Sequence, residues 1–189
     1  MAVTFPPIIL ASKSPRRQEL LTLMGLNFNV ELKDVDESYP EGLSPAEIAL
    51  YISAQKAKAF TANGEIIITA DTIVALNGEI LGKPSNREHA QEMLAKLSGN
   101  KHEVYTGVTL VKGDKIYSFY DRTEVYCKAV TSAEIDFYID NYHPFDKAGS
   151  YGVQDWWGIV VVQRIEGSYT NVMGLPTEKL YNELLKFID

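Results

Sequence analysis

An α/β fold around a mixed β-sheet is what the sequence predicts, and three observations carry that expectation. Short apolar, strand-like runs alternate with helix-like segments along the chain. Two tight-turn signals, Asn77-Gly78 and Gly113-Asp114, insert antiparallel hairpins into that alternation. No repeat, low-complexity stretch or long linker divides the 189 residues, so a single domain over 1–189 is expected, long enough for a substantial core.

The elements follow in order. Ile8-Ile9-Leu10-Ala11 reads as the first strand. A helical pattern runs over 18–24, with Ser14 as its N-cap, Pro15 at the first helical position and Gly25 as its stop. Residues 28–32 read as a second strand, and Ser44-Pro45-Ala46-Glu47 is a capping box that opens a helix over 45–62. Residues 66–70 form a buried strand, and 73–76 pair with 79–81 across Asn77-Gly78. Ser85 with Glu88 caps a helix that Gly99 ends. Residues 104–111 and 116–129 make the second hairpin, 132–141 return to helix, and 158–164 form a strand. An amphipathic helix over 177–188 closes the chain.

Composition narrows the function classes. Hydrophobic residues at 46% and charged residues at 23% are ordinary for a globular protein in water. A net charge of −7 opposes bulk attraction to nucleic acid or an anionic membrane, so any polyanion has to be met by a local cluster of cations. Cys127 is the only cysteine, which excludes an intrachain disulfide and a cysteine zinc site, and it reads as a buried small hydrophobe or an inert thiol. The N-terminus lacks a basic segment and Pro6-Pro7 interrupts its first apolar stretch, so no signal peptide is expected. No apolar run approaches membrane-spanning length, and a cytoplasmic enzyme is the default.

Within this frame several residues point to phosphate chemistry. Arg16 and Arg17 fall in the first turn of their helix, at the positive end of its dipole, where each is unfavourable by roughly 0.3–1 kcal/mol. An anion there would reverse the sign: first-turn N–H groups, the Ser12 and Ser14 hydroxyls and two guanidinium forks would cradle a polyphosphate. A solvated basic turn has the same sequence. Asp71 ends an apolar run, where open α/β sheets place their ligands, although an aspartate capping a turn fits that position equally well. Asp36 and Glu37, brought beside Asp71, would make a hard oxygen site for Mg²⁺ or Mn²⁺. Lys56 shares a helical stripe with Ile48 and Ile52, so it either snorkels to solvent or reaches from the core-facing side toward a phosphate. Lys83 in Gly82-Lys83-Pro84 is not part of a P-loop, because Pro84 stands where Ser or Thr is required. His89, His102 and His143 lack metal-ligand spacing and read as surface or packing residues.

Together these segments resemble the Maf family of nucleoside triphosphate pyrophosphatases over nearly the whole chain. The resemblance rests on Ser12-Lys13-Ser14-Pro15-Arg16-Arg17, Asp36-Glu37, Lys56-Ala57, Ala70-Asp71-Thr72, Gly82-Lys83-Pro84 and Thr106-Gly107-Val108. It continues through the blocks 147–154 and 166–176. It implies a two-lobed fold with an elongated mixed sheet and a nucleotide cleft between the lobes. It also implies hydrolysis between the α- and β-phosphates, dependent on a divalent metal cation (Mg, Mn or Co), to a nucleoside monophosphate and pyrophosphate. By the same resemblance Asp71 is catalytic, and Glu37 with Asp71 binds the metal. Ser12, Ser14, Arg17, Lys56 and Lys83 face the phosphates. Arg16, Thr72 and Gln154 match the positions of base choice in the branch that acts on dTTP and UTP, with CTP or modified pyrimidine nucleotides as further substrates. The sister branch acting on 7-methyl-GTP carries Trp, Gln and Glu there. A glutamine amide can both donate to a uracil carbonyl and accept from its N3–H. The chain departs from the common pattern at Asp155-Trp156-Trp157, whose indoles stiffen the loop or pack in the core or a dimer contact. A homodimer, a role in nucleotide-pool housecleaning, and a link to arrest of septum formation and cell division are further implications. The alternative is a nucleotide-binding regulator of septation without turnover. It has little use for Glu37 and Asp71 beside the phosphates.

Overall fold

The computed structural model describes residues 4–188. Strands β1 (Ile8–Leu10) and β2 (Phe28–Val30) flank helix α1 (Pro15–Leu23), and α2 (Pro45–Lys58) leads into β3 (Ile66–Leu76) and β4 (Glu79–Leu81). Next come α3 (Arg87–Leu97), the long hairpin β5 (Lys101–Lys112) and β6 (Lys115–Cys127), and α4 (Ser132–Tyr142). Strand β7 (Val162–Glu166), the short α5 (Tyr169–Met173) and α6 (Thr177–Ile188) complete the chain. All seven strands form one sheet, ordered β2-β1-β3-β5-β6-β7, with β4 also on β3. β1 runs parallel to β2 and β3, and the other pairings are antiparallel, giving the expected mixed sheet flanked by helices.

Alternation along β3 decides which helix lies on which face. Ile66, Ile68, Ala70 and Val74 enter the main core with Leu20 and Leu21 of α1, Leu94 of α3, Tyr138 of α4 and Leu184 of α6. Ile67 and Ile73 point the other way, toward Ala57, Ile48 and Ala49 of α2. Helix α2 lies very close to the sheet. A Cβ on Gly107 of β5 would come within 2.4 Å of the Ala49 carbonyl, so only glycine leaves room. Polar contacts pin the same packing: Thr69 Oγ1 donates to the Ser53 carbonyl at 2.7 Å, and the Ser53 hydroxyl meets that of Thr109 at 3.0 Å.

Several boundaries differ from the sequence expectation. Strand β3 continues through Asp71 and Thr72, so Asp71 sits in mid-strand, paired with Gly107, and not at a strand end. The polar pair hides this continuity from an apolar-run reading, while an unbroken ladder from Ile67 to Leu76 against β5 and β4 supplies it. Ser14 occupies the N-cap position of α1 without a side-chain cap, and its amide donates to Ser12 Oγ at 3.2 Å. Asn86, not Ser85, caps α3, its side chain accepting from the His89 amide at 2.8 Å, while the Ser85 hydroxyl turns to the His89 ring. Helix α2 stops at Lys58, with Lys33 Nζ donating to the Ala59 carbonyl. The expected strand over 158–164 starts late. Residues Trp157–Val161 form a single π-helical turn, begun where Asp155 Oδ1 accepts the Trp157 amide, which buries the Trp157 indole completely.

Among the described residues no helix is long and apolar enough to cross a membrane. Burial raises the Cys127 thiol to about 11, which makes it a packing residue rather than a nucleophile.

Candidate active site

A gap in one edge of β3 builds the site. β5 runs along one side of β3 continuously, whereas the other side is covered by β1 at Ile66–Ile68 and by β4 at Val74–Leu76. Between them a stretch of mid-strand backbone has no strand partner. Buried backbone groups need partners, and Arg17 supplies one, donating from Nη1 to the Ala70 carbonyl at 3.0 Å. Because Asp71 and Thr72 are adjacent in a strand, they emerge on opposite faces of the sheet at this gap. Asp71 faces α2, and Thr72 faces α1 and α5.

On the α2 face the Lys56 ammonium bridges two carboxylates, reaching Asp71 Oδ1 at 2.7 Å and Glu37 Oε1 at 3.0 Å. Lys56 therefore does not snorkel to solvent; its side chain is 16% exposed and held between the two acids. Half-burial works to raise the Glu37 carboxyl, but Lys56, with Lys83 and Lys13 farther off, outweighs it and leaves Glu37 below the ordinary carboxylate value. Asp36 does not join them. Its carboxylate turns to the amide and hydroxyl of Ser38, at 2.9 and 2.8 Å, so the expected three-acid site has two members. Among the described residues no group of three or more His, Cys, Asp or Glu comes together.

On the other face Arg17 is a strut. Its guanidinium donates to Gly174 O at 2.8 Å, Thr72 Oγ1 at 2.9 Å and Ser12 Oγ at 3.3 Å, besides the Ala70 carbonyl. Thr72 Oγ1 also meets Thr106 Oγ1 at 3.0 Å, and Thr106 donates to the Asn171 carbonyl, which ties the gap to α5. Burial lowers the Arg17 pKa, with Asp71 and Glu37 opposing, although an arginine starts so high that it stays charged. Arg16 points outward from the same turn and pairs with Asp146 at 3.0 Å, and Asp146 also holds Lys147 at 2.7 Å.

One cavity of about 650 Å³ joins these groups, and apart from Asp36 the candidate site residues named from the sequence line it: Ser12, Ser14, Arg16 and Arg17 at the start of α1, Glu37, Lys56, Asp71 and Thr72 around the gap, and Lys83 and Gln154 on the loops. Seven lysines and arginines line it against four carboxylates, a local excess of three positive charges in a chain of net −7. Gln154 is exposed, and its amide has no protein partner among the described residues. Sequence reasoning missed Asp146, which holds Arg16 from 130 residues away, and the pairing of buried Tyr138 with half-buried Asp155 beneath Gln154. No local signal marks such long-range pairs. The arrangement can hold a polyanion between cations on both sides of the gap while two carboxylates face the same space.

Comparison with known proteins adds a consistent set of relatives. A family model described as Maf-like protein matches residues 7–187. A dTTP/UTP pyrophosphatase of Bacteroides thetaiotaomicron is 52% identical over 183 residues, covering 95% of this chain and 95% of the relative. A dTTP/UTP pyrophosphatase of Cytophaga hutchinsonii is 50% identical over 184 residues, covering 96% of this chain and 84% of the relative. Among solved structures, a HAM1 protein from Coxiella burnetii matches 95% of this chain and 98% of its own, with a TM-score of 0.51 at 17% identity, a likeness of fold.

Proposed function

Because the chain belongs to the Maf family, matched over residues 7–187, we propose that it is a nucleoside triphosphate pyrophosphatase that hydrolyses dTTP and UTP to the monophosphate and pyrophosphate. The observation that carries this reading is the cluster of seven cations around a two-carboxylate gap in an otherwise acidic protein. We read the cavity as the nucleotide cleft between two lobes. Hydrolysis at a phosphoryl centre needs positioning and charge neutralisation more than covalent chemistry. Lys83, which has no ion pair among the described residues, and Lys56 are the cations that meet the triphosphate, together with the amides at the start of α1. Arg17 holds the floor of the site and presents its charge from there.

Glu37 and Asp71 fit a divalent cation of the Mg²⁺ type, which takes one or two carboxylates and completes its shell with phosphate oxygens and water. When bound there, such a cation neutralises phosphate charge and makes a nearby water more acidic. Asp71 Oδ1 faces Lys56, whereas Oδ2 has no protein hydrogen bond among the described residues; that oxygen either accepts a proton from the attacking water or holds the cation, since a carboxylate bound to a cation is a weak base. Gln154 meets the base: its free amide can donate to O4 and accept from N3–H of uracil or thymine. Arg16 borders that end of the cavity, steadied by Asp146. Thr72 contributes through Arg17 and Thr106, since its hydroxyl is already engaged by both.

The test is product analysis with a nucleotide panel and Mg²⁺, Mn²⁺ or Co²⁺. Pyrophosphate and monophosphate should appear from dTTP and UTP, and a chelator should stop the reaction. Orthophosphate as the product would overturn the bond assignment, and tight binding without turnover would favour a regulator of septation.

A further inference from the structure

The Gln154 amide makes no hydrogen bond among the described residues to fix its direction, so its aim depends on the backbone that carries it. That backbone closes on itself where the Asp155 amide donates to the Gly152 carbonyl at 3.4 Å, takes a bond from Tyr169 Oη to the Val153 carbonyl at 3.4 Å, and is held at both ends from below by the phenol of Tyr138. Tyr138 of α4 is fully buried. Its Oη accepts the Gly152 amide at 3.0 Å and donates to the Asp155 carboxylate, whose two oxygens lie 3.0 and 3.1 Å away. Gly152 and Asp155 flank Val153-Gln154, so a single oxygen ties together both ends of the turn. Asp155 Oδ1 also accepts the Trp157 amide at 3.2 Å, which links the turn to the π-helical segment behind it. The fit is close: a Cβ on Gly152 would approach Asp155 Oδ2 to 2.5 Å, so the carboxylate can sit here only against a glycine. The phenol has little freedom, because its ring stacks on Trp156 at 6.1 Å and packs on Trp157 at 5.4 Å. Val153 is buried in the core, so the only exposed member of the four is the glutamine.

We propose that Tyr138 and Asp155 are positioning residues for base selection, clamping the turn so that the Gln154 amide points into the cavity. The inference rests on the reading of Gln154 as the residue that meets the base. A hydrogen bond weakens steeply with misalignment. A loosened turn therefore costs discrimination between bases before it costs the phosphate chemistry some distance away.

The experiment is a double-mutant cycle on the full chain, with kcat/KM for UTP and for GTP as the readout. Tyr138→Phe removes the oxygen and keeps the ring. It should lower the preference for UTP over GTP by about tenfold, through KM for UTP rather than through kcat. In a Gln154→Ala background it should lower the preference no further, because the clamp acts through that side chain. Asp155→Ala should reproduce the loss, and Asp155→Asn, whose carbonyl oxygen still accepts from the phenol, should restore most of it. This second pair decides the question on the same readout if Tyr138→Phe fails to fold. An unchanged preference in folded Tyr138→Phe, or an equal loss in both backgrounds, overturns the clamp alone. If Gln154→Ala itself keeps the preference, the base reading fails and the clamp falls with it.

Discussion

Asp71 and Thr72 show how two neighbouring residues acquire unrelated environments. Strand alternation sends Asp71 to Lys56 and Glu37, and sends Thr72 to Arg17 and Thr106. The chemical type of each residue was legible in the sequence, but its partners were not. Arg17 is the sharper case: its place at a helix start predicts a phosphate ligand, yet four protein acceptors take up most of its donors. Asp71→Asn tests the role assigned to the carboxylate. The amide keeps the shape but neither the charge nor the basicity, so kcat should fall by about 10²–10⁴-fold, the usual worth of a positioned acid or base. Nucleotide affinity measured by calorimetry should stay within a few-fold. A variant with near-normal kcat would refute the assignment.

At the scale of elements, the site exists because β1 and β4 leave a gap on β3 and because α2 lies close enough for Lys56 to reach it. The closeness of α2 depends on Gly107, paired with Asp71 across the sheet. Gly107→Ala would drive a methyl group into the Ala49 backbone, and forcing extra volume into a packed contact costs about 1–3 kcal/mol. The denaturant midpoint should drop accordingly. Activity should fall further than stability predicts, since the displaced helix also carries Lys56 away from Asp71. Full activity together with wild-type stability would show that α2 is not held by this contact. The helices and hairpins themselves were legible through caps, turns and apolar periodicity: the capping box at Ser44 and Glu47 forms as expected. The π-helical turn at Trp157–Val161 was not, because it begins at a carboxylate–amide bond between Asp155 and Trp157 that no periodicity or turn dipeptide marks.

At the scale of the whole molecule, a buried histidine couples folding to pH. His102 is the second residue of β5, is 1% exposed, and bonds through Nε2 to Tyr151 Oη at 2.7 Å. Burial lowers its pKa to about 4, below the usual value near 6.5 for an exposed imidazole. Between those values the unfolded chain binds a proton that the folded one refuses, so stability rises with pH across that window. The contribution is complete above about 6.5 and is lost as pH falls through about 4, amounting to roughly 3 kcal/mol. Urea midpoints measured at pH 7 and pH 4.5 should separate widely for the native chain and less for His102→Gln. Parallel declines in both proteins would assign the acid sensitivity to other groups.

By itself the sequence determined the α/β class, the order of the elements and the residue types that could meet a triphosphate. Caps, turn dipeptides and apolar periodicity act over a few residues and are written where they act. Only the tertiary structure decided which groups meet. Arg17 finds the Gly174 carbonyl across 157 residues and Arg16 finds Asp146 across 130, while Tyr138 reaches under the turn of Gln154. Such contacts follow from the register of β3 against β1, β4 and β5 and from the depth at which α2 packs. Both are set by the burial of many side chains together, so no short stretch of sequence contains them.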